Sequence, residues 1–278
     1  MKLVRPVVLT LLMLLIVAHA VLSQDDAPAP DYDFSFAVFG DSRPGNQHFS
    51  PVLEAIATEM GRQDIAFVLG TGDYIEGSTN ADRLRHQWDG FFTGLAPLQA
   101  QREIPVALAP GNHDIVGVRR NAEIYCEYFN KLYFSFDYRD CHFIILDTET
   151  IGSEGRISGT QLRWLREDLE AASDSKFIFV ALHRPLFPVG PHTGSSLDAH
   201  PAERDALHAL FVKHGVNVVF AGHEHLYNHQ EKDGIHYFIT GGAGAPLYAP
   251  PERGGFYHYL LVTVDEDTFA VDVQRFER

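Results

Sequence analysis

Five short clusters in this sequence carry side chains that bind metal ions or move protons. They are Gly40-Asp41, Gly72-Asp73, Gly111-Asn112-His113-Asp114, His183, and Gly222-His223-Glu224-His225. A carboxylate has two oxygens with lone pairs to spare, so Asp73 could bridge two cations. Asn112 offers a neutral carbonyl oxygen, and His183, His223 and His225 offer imidazole nitrogens. Such a mixed oxygen and nitrogen set suits one or two first-row divalent ions: manganese, iron, zinc or cobalt. His223 and His225 are not four residues apart, so they are not the zinc-protease helix pattern. On an extended segment both imidazoles face one side while Glu224 points away. The chemistry implied is metal-dependent hydrolysis.

These clusters must be positioned by something rigid, and the residues before them say what. Phe34–Phe39, Ile65–Leu69, Val106–Leu108, Phe177–Leu182 and Val216–Ala221 are short apolar stretches, each followed within a few residues by one cluster. A buried strand followed by a turn delivers its next polar residues at the strand's carboxyl end, where α/β sheets build their sites. Ser50-Pro51 predicts a helix start, with Gly61 as its stop. Ser158-Gly159-Thr160-Gln161 has the capping-box pattern ahead of Leu162, Trp164, Leu165 and Leu169. A third helix is predicted from Pro201 towards His214, closed by Gly215. Tyr133–Tyr138 and His142–Leu146 flank Arg139-Asp140 as a hairpin. His236–Thr240, Tyr257–Val264 and Thr268–Arg275 read as further strands, the last two a hairpin. Helices and strands alternating early, with β structure late, predict an α/β fold of two packed sheets covered by helices.

A chain of 278 residues that is 45% hydrophobic can bury the core of one large domain. Its formal charge of −15 argues against a nonspecific grip on nucleic acid, so no nucleic-acid partner is expected. A small phosphorylated substrate remains compatible, because bound metal ions supply local positive charge. Lys2 and Arg5 precede an apolar run from Val7 to Leu22, with Ala18-His19-Ala20 at its end. This reads as a signal peptide over residues 1–23, cleaved after Ala20 or Ser23, and predicts a secreted or periplasmic protein. Retention of that run as a membrane anchor is the alternative, and no other membrane contact is expected. Residues 24–33, rich in Ala, Pro and Asp, read as a linker to a single domain over residues 34–278. In an oxidising compartment Cys126 and Cys141 could form one bridge worth about 3 kcal/mol; two buried thiols are the alternative.

In this order and register, the five clusters resemble the calcineurin-like metallophosphoesterase family. The resemblance runs from Phe34 to about Tyr248. It implies a four-layer αββα fold and hydrolysis of a phosphate mono- or diester by attack of a metal-activated hydroxide. It also implies that Asp41, Asp73 and His225 serve one metal, and Asp73, Asn112, His183 and His223 the other. Metals about 3.5–4 Å apart can clamp phosphoryl oxygens for in-line attack. His113 is carried over as donor to the leaving oxygen, with Asp114 placed to hold its imidazole. One departure stands out: the family usually has histidine two residues after the first aspartate, and here that residue is Arg43. A guanidinium has no lone pair to give. His48 or Tyr74 could complete that site, water could fill it, or Arg43 could bind a phosphate oxygen in bidentate fashion.

Thr240-Gly241-Gly242-Ala243-Gly244-Ala245-Pro246 lacks the Lys-Ser/Thr of a P-loop. It reads as a tight backbone passage beside the site, like glycine-rich turns of the purple-acid-phosphatase-like branch. His192, His200, His208 and His214 read as surface or cap residues. The stretch from Pro185 to His200 is either a substrate-facing rim or a plain loop. Trp88, Phe91 and Phe92 read as core. Two rivals to a phosphoesterase are a non-catalytic or single-metal relative that binds a phosphorylated ligand, and a metal-dependent nuclease. The acidic balance counts against the second.

Overall fold

The computed structural model describes residues 34–45 and 50–276. The signal-peptide and linker readings, and His48, lie outside the described residues.

Apolar, β-branched and aromatic runs form the strands, and the connections between them form the helices. In chain order these are β1 (Phe34–Phe39), α1 (Pro51–Arg62), β2 (Ile65–Gly70), α2 (Ala81–Leu95), β3 (Val106–Leu108), α3 (Asn112–Ile115) and α4 (Arg119–Phe129). There follow β4 (Phe134–Tyr138), β5 (Cys141–Ile145), α5 (Gly159–Ala171), β6 (Phe177–Ala181), α6 (Pro201–Lys213) and β7 (Val218–Ala221). The chain ends with β8 (Tyr227–Lys232), β9 (Ile235–Thr240), β10 (Tyr257–Val264) and β11 (Phe269–Phe276). One sheet has the order β11-β10-β1-β2-β3 and the other β4-β5-β6-β7-β9-β8. β1, β2 and β3 run parallel, as do β5, β6, β7 and β9. The carboxyl ends of the parallel strands therefore open on one edge of each sheet.

The two sheets face each other across a phenylalanine-rich seam. Phe36 stacks on Phe67 at 5.2 Å and meets Phe143 and Phe179 edge-on, both at 5.3 Å. Helices α1, α2 and α4 cover the outside of the first sheet, and α5 and α6 the outside of the second. The result is the expected helix–sheet–sheet–helix layering.

Ser50 caps α1 by accepting from the Leu53 N–H, as its sequence predicts. The helix runs one residue past Gly61, however, and ends at Arg62. Gly61 lies within the helix, and its lack of a side chain lets Pro97 approach: a Cβ there would lie 2.9 Å from the Pro97 carbonyl oxygen. The Ser158 capping box does not form. The Ser158 side chain makes no cap bond, and Gln161 instead exchanges two hydrogen bonds with the Asp147 backbone, each 2.8 Å. Helices α2 and α4 were not anticipated. Leu84, Trp88, Phe91 and Leu95 on α2 are buried at helical spacing, and that spacing is the signal that carries it. Trp88 and Phe91 are core residues and Phe92 packs against that core. Cys126 and Cys141 are both free thiols. Among the described residues no helix is long and apolar enough to cross a membrane.

Candidate metal centre

The turns after β1, β2 and β3 and those after β6 and β7 meet at the shared edge of the two sheets. The backbone there is bent hard to aim the ligands. Asp41, Asp73 and His223 all adopt left-handed conformations, with φ of 58°, 57° and 70°. Asp and His tolerate this better than β-branched residues, yet each costs of order 1 kcal/mol, a cost typical of functional sites. His223 thus departs from the extended segment predicted for it. Gly111 is required by contact: a Cβ there would lie 2.3 Å from Asp73 Oδ1.

Two ligand groups result, with Asp73 in both. One is Asp73, His183 and His223; the other is Asp41, Asp73 and His225. All five side chains are buried. In each group the ligand atoms lie within 4.8 Å of one another. Asn112 joins the first, its Oδ1 standing 2.9 Å from His183 Nε2.

The hydrogen bonds around the groups show what they are built to hold. His183 donates from Nδ1 to the Thr71 carbonyl at 2.8 Å, so Nε2 carries a lone pair. That lone pair faces Asn112 Oδ1, Asp73 Oδ1 at 3.4 Å and His223 Nδ1 at 3.1 Å. His225 likewise donates from Nδ1 to the Pro246 carbonyl at 2.7 Å, turning the Nε2 lone pair to Asp41 Oδ1 at 3.4 Å. His223 Nε2 is buried without a partner. Burial holds His183 down at about 3, against the pull of Asp41, and lowers His223 further, so both rings stay neutral at ordinary pH. Burial also raises Asp73. Lone pairs and carboxylates converging without protons between them are repulsive alone and favourable around a cation. The residues fit one or two divalent ions.

His113 sits at the mouth, its backbone N–H on Asp73 Oδ1 at 2.8 Å and its Nε2 4.0 Å from Asp73 Oδ2. Asp114 does not hold that imidazole, which corrects the expectation. His113 Nδ1 instead donates to the Glu76 carbonyl at 3.0 Å. Asp114 is fully buried and accepts the backbone N–H groups of Gly111, Asp73 and Tyr74 at 2.8, 2.9 and 3.0 Å. It fixes the second cluster to the third, through the backbone. Tyr74 does not complete the first metal group: its hydroxyl accepts from the Gly72 N–H and donates to the Ala109 carbonyl. Arg43 pairs with Glu76, Nη1 lying 3.0 Å from Oε2.

Three further residues surround the centre. His192, predicted as a surface residue, lies with its ring 3.9 Å from that of His223. It is held there because Glu224 Oε1 accepts the His192 N–H at 3.0 Å. Glu224 does point away from the ligand groups, as predicted, and its purpose is this loop. Tyr248 stacks on His225 at 3.9 Å and 14°. His208 is also no surface residue: it is buried, with Tyr237 Oη at 2.7 Å and Asp233 Oδ2 at 2.8 Å. His200 and His214 take cap positions of α6. The glycine-rich turn is the tight passage expected: Ala243 N–H donates to the Gly40 carbonyl and Ala245 N–H to that of Asp41.

The family model of the calcineurin-like phosphoesterases matches residues 34–227. The chain belongs to that family. It is 28% identical over 254 residues to acid phosphatase type 7 of Mus musculus, covering 77% of this chain and 56% of the relative. It is 29% identical over 189 residues to purple acid phosphatase 21 of Arabidopsis thaliana, covering 61% of this chain and 40% of the relative. The chain thus spans about half the length of the curated relatives it matches. Among solved structures, the purple acid phosphatase PPD1 from yellow lupin superposes with a TM-score of 0.71 at 20% identity, covering 90% of this chain and 52% of that one. That likeness shows the calcineurin-like fold.

Proposed function

We propose that this chain is an exported phosphoesterase that hydrolyses a phosphate mono- or diester with bound divalent metal. The observation that carries the reading is the pair of buried ligand groups sharing Asp73, with lone pairs turned inward by the Thr71 and Pro246 carbonyls. When bound, one or two cations there would lower the pKa of water and neutralise phosphoryl oxygens. The protein's own part is positioning. Asp41, Asp73 and His225 would hold one cation, and Asp73, Asn112, His183 and His223 the other. His113 is fixed at Nδ1 by the Glu76 carbonyl, leaving Nε2 to give a proton to the leaving oxygen. Arg43 supplies a fixed positive charge beside the ester. Export rests on Lys2, Arg5 and the apolar run after them.

The Arg43–Glu76 pair favours a second reading, a relative that binds a phosphorylated ligand without turnover. One experiment separates the two. The manganese-loaded protein should release chromophore from an aryl phosphate monoester or diester, and a chelator should abolish the release. His113→Ala should lower kcat about 10²–10⁴-fold, the usual scale for a general acid. A manganese-loaded protein inert towards both esters would leave only the ligand-binding reading.

A further inference from the structure

Away from the metal centre, His229 Nε2 on β8 and His236 Nδ1 on β9 meet nitrogen to nitrogen, 3.0 Å apart. Buried imidazoles elsewhere are met by oxygen: His142 by two carboxylates, His208 by a phenol and a carboxylate, His258 by a backbone carbonyl. Nitrogen facing nitrogen is what the metal centre itself shows, where His183 Nε2 and His223 Nδ1 lie 3.1 Å apart. The spacing has a chemical meaning. Two imidazole nitrogens bound to one ion at about 2.0–2.1 Å stand about 2.9 Å apart at a right angle and about 3.4 Å apart at the tetrahedral angle. The 3.0 Å separation falls between the two, nearer the right angle.

The sheet fixes this approach. In the antiparallel β8–β9 register His229 opposes Phe238 and His236 opposes Glu231, which puts all four side chains on one face. The His229 ring lies flat on Phe238 at 4.2 Å and 5°, and the His236 ring meets Phe269 edge-on at 5.9 Å and 84°. Rings already held by their neighbours lose little freedom on binding. Glu231 brings a carboxylate across from His236, on an exposed side chain long enough to turn towards the pair. The neighbouring cation, Lys232, turns instead to the Phe187 ring, which packs with the core on the helix side of the sheet. His229 and Glu231 are exposed, so an ion reaches this group directly from solvent.

We infer that His229, His236 and Glu231 form a further metal site, at the β8–β9 edge of the second sheet, for a divalent ion of the copper, nickel and zinc class. Two imidazoles and a carboxylate, with water in the remaining position, make the nitrogen and oxygen set that copper(II) and nickel(II) take in tetragonal geometry, and copper(II) binds such sets most tightly. Whichever ring donates in the 3.0 Å contact takes its other tautomer, its proton moving to the outer nitrogen, so both rings bind neutral. The ion clips β8 to β9 through side chains. That matters for an edge strand, Tyr-Asn-His-Gln-Glu-Lys, with little apolar surface to bury. The site goes beyond the phosphoesterase reading and does not depend on it, since none of its residues belongs to the ligand groups of the centre.

The test runs the manganese-loaded protein over immobilised copper(II) and elutes it with imidazole. An immobilised ion cannot enter the buried centre but reaches an exposed pair. His229→Phe and His236→Phe keep a ring against Phe238 and Phe269 while removing the nitrogens, so packing is spared. The wild-type protein should bind, and each substitution should weaken binding about tenfold. The double variant should lose no more than either single one, because one remaining ring is a single ligand. Glu231→Gln, at an exposed position, should weaken binding about threefold. His200→Gln, which removes a lone histidine at the start of α6, is the control and should leave retention unchanged. A wild-type protein that is not retained, losses from His229 and His236 that simply add, or a loss from His200→Gln as large as theirs overturns the site.

Discussion

Arg43 stands where the resemblance implies a histidine, and its surroundings hold it firmly in place. Glu76 holds Nη1 through both carboxylate oxygens, at 3.0 and 3.2 Å, and is itself held by the Gly45 N–H at 2.7 Å. Burial disfavours a charged guanidinium, but Glu76 and Asp73 outweigh that and raise its pKa, so Arg43 stays charged. A pinned cation beside the Asp41–Asp73–His225 group repels a metal there and gives it no fourth protein ligand. The other group has Asn112 as well as two imidazoles. The two groups should therefore fill unequally. After loading with manganese and gel filtration, plasma mass spectrometry should find about one ion per chain. Arg43→His, which trades a charge for a lone pair, should raise the content to about two. Two tightly held ions in the wild-type protein would show that the arginine does not limit occupancy. That Arg43 cannot be a ligand is legible from its chemistry alone. That Glu76 pins it is not, because the pairing spans two turns that only the fold brings together.

At the scale of elements, a buried histidine ties the β4–β5 hairpin to α5. His142 on β5 lies 2.6 Å from Asp137 Oδ1 on β4 and 3.0 Å from Asp168 Oδ2 on α5, and Ser135 donates to the same Asp168 carboxylate. Burial works against the imidazolium, yet Asp168 and Asp137 together outweigh it and the pKa is raised. A histidine with a raised folded pKa contributes stability that is fully present below its unfolded value of about 6.5 and is lost as pH rises through the folded value. His142→Asn should therefore lower the urea midpoint clearly at pH 5.5 and much less at pH 9. An equal loss at both would mean that packing alone carries the contact. The hairpin itself was legible from alternating residues around Arg139-Asp140, and so were the five strands ahead of the ligands. Others were not. β8, Tyr-Asn-His-Gln-Glu-Lys, has no apolar alternation and exists because it pairs with β9 at the sheet edge. At Gln161 the local capping pattern loses to the buried Asp147 backbone, which the sequence alone does not place beside it. His192 carries no sequence signal that sets it apart from His200; the Glu224 hydrogen bond that turns it inward comes from another part of the chain.

At the scale of the whole molecule, the ligand groups straddle the two sheets. Asp41, Asp73 and Asn112 follow strands β1, β2 and β3 of one sheet, while His183, His223 and His225 follow β6 and β7 of the other. Without a cation, the edge where the sheets meet gathers buried carboxylates and lone pairs that repel; with one, the same atoms join the sheets. Folding and metal binding are then linked, since the unfolded chain cannot assemble ligands so far apart in sequence. A cation at a hundred times its dissociation constant stabilises the folded state by about 2.7 kcal/mol. For a domain of this size that corresponds to a rise in Tm of about 5–10 °C. Calorimetry should show that rise on adding manganese and its reversal by a chelator. His183→Ala should remove most of it, because His183 reaches Asn112, Asp73 and His223 from the second sheet. A Tm that a chelator leaves unchanged, in protein shown to have carried the ion, would mean that the sheets hold the centre in place without help from the metal. The phenylalanine seam would then be sufficient to set the distance between the two ligand groups.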